Sequence, residues 1–239
     1  MVEFFANSLF DGVKNSSAMG QGIVGLQLVL SIVMLWMIIS KWHQLVQMVT
    51  LTRRISRDIM GGRDVLEYYV ARHDSQHTAV ENIYTATCER MLKLFAPDIR
   101  TMLVGRQATS AALSKYEMGL VRALCDHTLD EEELRVEDGM GWISTFVAVA
   151  PMLGLLGTVW GVLDAFADMG AAGSATIATM APAISSALVT TVVGLLIAIP
   201  GIFGHMWLSS RVQSLNSDLE GFADDLMGRI EYEFRGRDA

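Results

Sequence analysis

The chain is short of charge, of cysteine and of basic residues, and each shortage excludes something. Asp, Glu, Lys and Arg make up 18% of its 239 residues against 51% hydrophobic ones. With a mean hydropathy of +0.36, that balance excludes an ordinary soluble enzyme and points to a membrane protein. The net charge of -8 leaves no basic face for nucleic acid. The two cysteines, Cys88 and Cys125, lie in the polar middle of the chain without CxxC or His/Cys ligand spacing. They read as buried reduced thiols of a cytoplasmic region. A basic leader is missing too: Glu3 and Asp11 occupy the start, and no A-x-A site closes the first apolar run. That run is therefore expected to stay as a membrane span, with no cleaved signal peptide.

Three uncharged apolar runs are present, Ile23 to Ser40, Trp142 to Leu163 and Ala183 to Leu208. A helix rising about 1.5 Å per residue needs about 20 residues to cross about 30 Å of hydrocarbon, so all three are expected to span. Of the eighteen Lys and Arg residues, thirteen fall between Lys41 and Gly141, four follow Leu208, and Lys14 alone precedes the first run. By the positive-inside rule the N-terminus is outside, while the middle segment and the tail are cytoplasmic. The expected organisation is a periplasmic segment 1–22, spans at 23–40, 142–164 and 183–208, a cytoplasmic helical region 41–141, a periplasmic loop 165–182 and a cytoplasmic C-terminal helix or tail 209–239.

The middle segment reads as helical. Trp42, Leu45, Val46, Val49, Thr52, Ile55 and Ile59 keep a helical period, which extends the first span to a stop at Gly61-Gly62. A short helix around Val65, Leu66, Tyr69 and Val70 follows, then a break at His73-Asp74-Ser75. Another helix is expected from Thr78 to Phe95, ended by Pro97, and helix again from Asp98 almost to the second span. The acidic run Asp130 to Glu133 reads as a solvated face. No strand pattern or internal repeat stands out, so the fold class is all-α, with the first and second spans extended into the cytoplasmic helical region.

The second run carries Pro151, Gly154, Gly157, Thr158 and Gly161. Glycines at such spacings let helices approach closely, and a hydroxyl in hydrocarbon needs a partner. In the third run, about 100° of turn per residue puts Ala183, Ser186, Ala187, Thr190, Thr191, Gly194 and Ala198 on one half of the helix. Leu188, Val189, Val192, Leu195, Leu196 and Ile199 take the other half. The small, hydroxyl-bearing half reads as the lining of a polar interior; the plainer alternative is that each hydroxyl bonds a carbonyl one turn back. Neither run contains Asp, Glu, Lys, Arg or His between Trp142 and Leu163 or between Ala183 and Phe203. A proton relay within a membrane needs an ionisable group, so a partner must bring the carboxylate. Asp164 reads as a solvated helix-end residue near the outer surface, and His205 as interfacial. No nucleophile–base pair, metal-ligand cluster or phosphate loop is present, so neither enzyme activity nor a metal or cofactor is expected.

These residues resemble a known family. Pro151-Met-Leu-Gly-Leu-Leu-Gly-Thr-Val-Trp-Gly161 is similar to the P-x-x-G-L-x-G-T-V-x-G signature of the MotA/TolQ/ExbB proton channel family. The stretch from Ala181-Pro182 to Pro200 is similar to its A-P-G-I-x-E-A-L-x-x-T-x-x-G-L-x-x-A-I-P signature. Length and layout resemble TolQ and ExbB more than the four-span MotA. The resemblance implies an inner-membrane homopentamer around a pore, holding a dimer of single-span ExbD- or TolR-like partners, each with one membrane aspartate. Proton flow would then power work on the cell envelope. It further implies that Thr158 and Thr191 face the pore, with Ser186 and Thr190 beside them, and that Gly154, Gly157, Gly161, Gly194, Pro151 and Pro200 serve helix packing. One departure stands out: Ser186 occupies the signature's glutamate position. A ring of hydroxyls there keeps Na⁺ coupling open beside H⁺. A passive oligomeric scaffold, in which the small residues only close-pack helices, is the other alternative.

Overall fold

The computed structural model describes residues 18–62, 64–66, 68–69, 78–95, 112–172 and 177–234. About 94% of the described residues are helical, and none forms an extended strand, so the all-α class holds. The helices are α1 (Ala18–Gly61), α2 (Ala79–Leu94), α3 (Lys115–Glu137), α4 (Met140–Ala172) and α5 (Ile177–Phe234). The three apolar runs lie in α1, α4 and α5, each long and apolar enough to cross a membrane. At about 1.5 Å per residue, the 44 residues of α1 reach roughly 66 Å, about twice the hydrocarbon thickness. The 58 residues of α5 reach further still, since the helix continues without a break past the apolar end at Leu208 to Phe234.

The chain divides into two compact units, Met1–Trp42 with Gly139–Ser209, and His43–Asp138 with Ser210–Ala239. In the first, the contacts set the directions of the helices. Gly201 lies against Met34, Gly204 against Ile38, and Trp42 stacks on Trp207 with ring centroids 4.0 Å apart. The numbers rise together, so α1 and α5 run parallel. Gly161 meets Ala187, Gly157 meets Thr190, and Gly194 meets the Ala150 carbonyl, so α4 runs antiparallel to α5. Large side chains such as Trp36, Met152, Leu188, Leu196 and Phe203 stay exposed on the single chain. That is what a bundle surrounded by lipid or by further copies requires.

The second unit has a conventional core. Val80, Ile83, Tyr84, Cys88, Met91 and Leu92 of α2 are buried, as are Val121 and Cys125 of α3. Along this unit's part of α5 the residues Val212, Leu215, Leu219, Phe222, Leu226, Ile230 and Phe234 are buried at steps of three and four, the repeat of a helix with one packed seam. Both short helices open on capping boxes. Thr78 Oγ1 accepts from Glu81 N, and Ser114 Oγ from Glu117 N, while each glutamate reaches back to its cap. The end of α1 is closed from α5: Arg229 donates to the carbonyls of Ile59 at 3.3 Å, Met60 at 2.9 Å and Gly62 at 2.7 Å. Those are the orphan acceptors that a helix terminus leaves, and a guanidinium fork suits them. Gly139, at φ +82°, makes the left-handed turn that separates α3 from α4.

Several expectations can be set against these elements. The stop at Gly61-Gly62 coincides with the end of α1, and the helix expected from Thr78 to Phe95 is α2 with Thr78 as its cap. Of the short helix expected around Val65, Leu66, Tyr69 and Val70, Tyr69 is helical together with Tyr68, and Val70 lies outside the described residues. Val65 and Leu66 form a turn instead, held by Tyr84 Oη donating to the Val65 carbonyl and Val65 N donating to Glu233 at 3.1 Å. The breaks at 73–75 and 97, and the helix expected from Asp98 as far as residue 111, lie outside the described residues; residues 112–114 are not helical, and helix resumes only at Lys115. The acidic run is not wholly a solvated face. Glu132 is buried, accepting from Asn82 Nδ2 at 2.9 Å and pairing with Arg135, because it points inward where its neighbours Asp130 and Glu131 point out.

Candidate functional site

The glycines of α4 bring its backbone against α5 one turn at a time. A Cβ at Gly154 would stand 3.0 Å from Thr191 Cα, one at Gly157 would stand 2.7 Å from Thr190 Cβ, and one at Gly161 would stand 2.6 Å from Ala187 Cβ. On the α5 side, a Cβ at Gly194 would lie 2.7 Å from the Ala150 carbonyl oxygen. No side chain larger than hydrogen fits at the tighter positions. The helices therefore touch through backbone, and hydroxyls on one can reach carbonyls on the other.

They converge on one atom. The Gly154 carbonyl oxygen accepts from Thr191 Oγ1 at 2.9 Å and lies 3.2 Å from both Thr190 Oγ1 and Thr158 Oγ1. Thr158 also reaches the Ala187 carbonyl at 3.2 Å, and its hydroxyl is in direct hydrogen-bond contact with that of Thr191. A carbonyl has two lone pairs and already serves its own helix, so it cannot hold all three hydroxyl protons at full strength. The two protons of the Thr158–Thr191 pair are taken up within the cluster, so what the pair keeps for a further group is acceptor capacity on its hydroxyl oxygens. Both residues are half-buried, and are accordingly the members of the cluster still open to a neighbour.

Ser186 and Thr190 are placed differently. Thr190 is fully buried between α4 and α5 and also donates to Ala187 O at 2.7 Å. Ser186 is buried and donates to Ala183 O at 2.9 Å within its own helix, the ordinary back-bond of a helical serine. Pro151 is half-buried inside α4, and Pro200 is exposed inside α5. Each removes one backbone donor from its helix. The sidedness expected of the third run is present: Ser186, Ala187, Thr190, Gly194 and Ala198 are buried while Leu188, Val192, Leu195, Leu196 and Ile199 are exposed.

One polar residue of this region was not singled out as functional by sequence reasoning. Gln27 of α1, the most polar side chain of the first run, is fully buried against the same α4–α5 contact. A single amide in an otherwise apolar span was the available signal. Asp164 and His205 are both half-buried. Cys88 and Cys125 are free thiols, both buried. Burial pushes the Cys88 thiol up to about 12, and Cys125 upward as well, which leaves them protonated and unreactive. Among the described residues no three of His, Cys, Asp and Glu converge on a common point.

The sequence profile of the MotA/TolQ/ExbB proton channel family matches residues 96–221, more than half of the chain. The chain belongs to this family. Within it, the chain is similar to both TolQ and ExbB. It is 36% identical over 107 residues to the Tol-Pal system protein TolQ of Haemophilus influenzae, covering 45% of this chain and 46% of that protein. It is 40% identical over 95 residues to the biopolymer transport protein ExbB of Xanthomonas campestris, covering 40% of this chain and 38% of that one. The TolQ of Pseudomonas aeruginosa is 35% identical over 107 residues, 45% and 46% of the two chains. The matched region thus spans less than half the length of each relative. With three membrane-capable helices, this TolQ/ExbB-like chain is a multi-pass protein of the bacterial inner membrane. Its family is defined by proton channelling and not by an enzymatic activity.

Proposed function

We propose that this chain is the pore-lining subunit of an ion-driven inner-membrane motor that energises an envelope or outer-membrane process. In this reading the N-terminus and loop 165–182 are periplasmic, and residues 41–141 and 209–239 are cytoplasmic. Five copies surround a pore occupied by an ExbD/TolR-like partner, whose single span supplies an aspartate. The observation that carries the reading is the Thr158–Thr191 hydroxyl pair over the Gly154 carbonyl, set in stretches, 142–163 and 183–203, that have no ionisable side chain of their own. Such a wall can exchange hydrogen bonds with a carboxyl group and orient water, while the charge change stays on the partner.

The test is ion flux in vesicles containing the complex purified with its partner. Thr158→Val and Thr191→Val are each expected to lower proton flux by at least about tenfold, or about 1.4 kcal/mol on the barrier, with assembly unchanged. Wild-type flux in both variants overturns the pore role and leaves the passive scaffold standing. A second reading, coupling to Na⁺, is favoured by Ser186 at the signature's glutamate position and by the cluster of hydroxyl and carbonyl oxygens, which are suitable ligands for a hard cation. Flux that follows an imposed sodium gradient and ignores a proton gradient supports it; the reverse rules it out.

A further inference from the structure

Gln27 lies where α4 and α5 come closest, and the hydroxyl path as described makes no use of it. A Cβ at Gly194 would stand 2.7 Å from the Ala150 carbonyl oxygen and 2.9 Å from Gln27 Nε2, so the carboxamide is laid across a seam of nearly bare backbone. Its Nε2 reaches Ala150 O of α4 at 3.4 Å and Thr190 O of α5 at 3.3 Å. Both bonds are long, but both targets are carbonyl oxygens, so only the amino half of the carboxamide can face them. The other half is thereby committed: Oε1 is buried with no hydrogen-bond partner. A methionine would fill much the same space without stranding an oxygen, so stability alone does not account for a glutamine here.

The two carbonyls flank the hydroxyl cluster. Ala150 lies one turn before Gly154 on α4. Thr190 sends its own hydroxyl to Gly154 O at 3.2 Å and directly precedes Thr191. One donor group from the first span therefore holds both helices at the level where their hydroxyls meet.

We propose that Gln27 is a positioning residue of the ion path: its carboxamide ties α4 to α5 and fixes the register at which Thr158 and Thr191 meet over the Gly154 carbonyl. This rests on the proposed role of those two threonines. It makes the first span a working part of the ion path in addition to a membrane anchor.

The test uses the full complex with its partner in vesicles. Gln27→Met keeps the side chain's length and removes its donor, and is expected to lower flux by at least about tenfold with the complex assembled. Gln27→Glu can donate only while its carboxyl is protonated. No ionisable side chain occurs in 23–40, 142–163 or 183–204, and Asp164 and His205, at the ends of the second and third spans, lie ten or more residues along their helices from Gly154 and Gly194. Its flux is therefore expected to approach wild type at acid pH and to fall below it as pH rises. Wild-type flux in Gln27→Met, with Thr158→Val blocked, overturns the positioning role alone. A Gln27→Glu pH profile superimposable on wild type does the same, and decides the matter if the methionine variant does not assemble. Wild-type flux in both threonine variants overturns the ion-path reading itself, and the role of Gln27 with it.

Discussion

At the scale of single residues, the α4–α5 contact is governed by what is left out. Gly157 sits where an added Cβ would collide with the Thr190 side chain, 2.7 Å from its Cβ, while nothing lies within 4 Å of a Cβ at Gly170 of the same helix. Overpacking a tight contact costs about 1–3 kcal/mol, so Gly157→Ala should lower the thermal midpoint of the purified protein and abolish ion flux. Gly170→Ala should leave the midpoint unchanged or slightly raised, because alanine is the better helix former. The same scale shows what periodicity could and could not reveal. The small half of the third run was legible from residue spacing alone. Which hydroxyls stay within their own helix was not, because Ser186 and Thr190 occupy the same half and differ only in what α4 places against them.

At the scale of elements, the long helices depend on one another's ends. Arg229 of α5 satisfies three carbonyls at the C-terminus of α1, and Glu233, one turn on, accepts from Val65 N in the turn that follows. Hydrogen bonds from a charged donor contribute about 1.5–3 kcal/mol each way, so Arg229→Met should destabilise the protein by a few kcal/mol in denaturant titrations. Arg229→Lys should recover only part of that, since an ammonium cannot present the planar fork that reaches Met60 and Gly62 together. The capping boxes Thr78-x-x-Glu81 and Ser114-x-x-Glu117 mark the starts of α2 and α3; the first start agrees with the helix expected from Thr78, while the expectation of helix running on from Asp98 placed no start at Ser114. The length of α5 was less visible. The change from an apolar run to a charged sequence near Arg211 looks like an end, yet the three-and-four spacing from Leu208 to Phe234 carries the helix on.

For the molecule as a whole, carboxyl groups shifted by burial set how stability responds to pH. Burial raises the Glu133 carboxyl, helped by Glu220, Asp130 and Glu137, and its Oε1 is buried without a partner. Burial raises Glu233 too, against the bond from Val65 N. A carboxyl raised on folding stabilises below its unfolded value, and that stability is lost as pH rises through the folded value. Exposed Glu117, lowered by its bonds to Ser114, acts in the opposite sense. Glu133→Gln should therefore raise the thermal midpoint at neutral pH. The gain should vanish below the ordinary carboxylate range, where the wild-type side chain is protonated in both states; a gain independent of pH would refute the assignment.

What the sequence determined by itself was the chemistry of the spans: three uncharged runs, an all-helical chain, a sided third span, and no ionisable group at depth. Those are properties of local composition and period, and they carry the resemblance to the family to which the chain belongs. Only the tertiary structure decided which polar atoms meet. Three hydroxyls share the Gly154 carbonyl, and Gln27, more than a hundred residues away in the chain, spans the Ala150 and Thr190 carbonyls. The reason is physical: hydrogen bonds between helices depend on a backbone separation set by several glycines acting together, and no single stretch of sequence contains that distance.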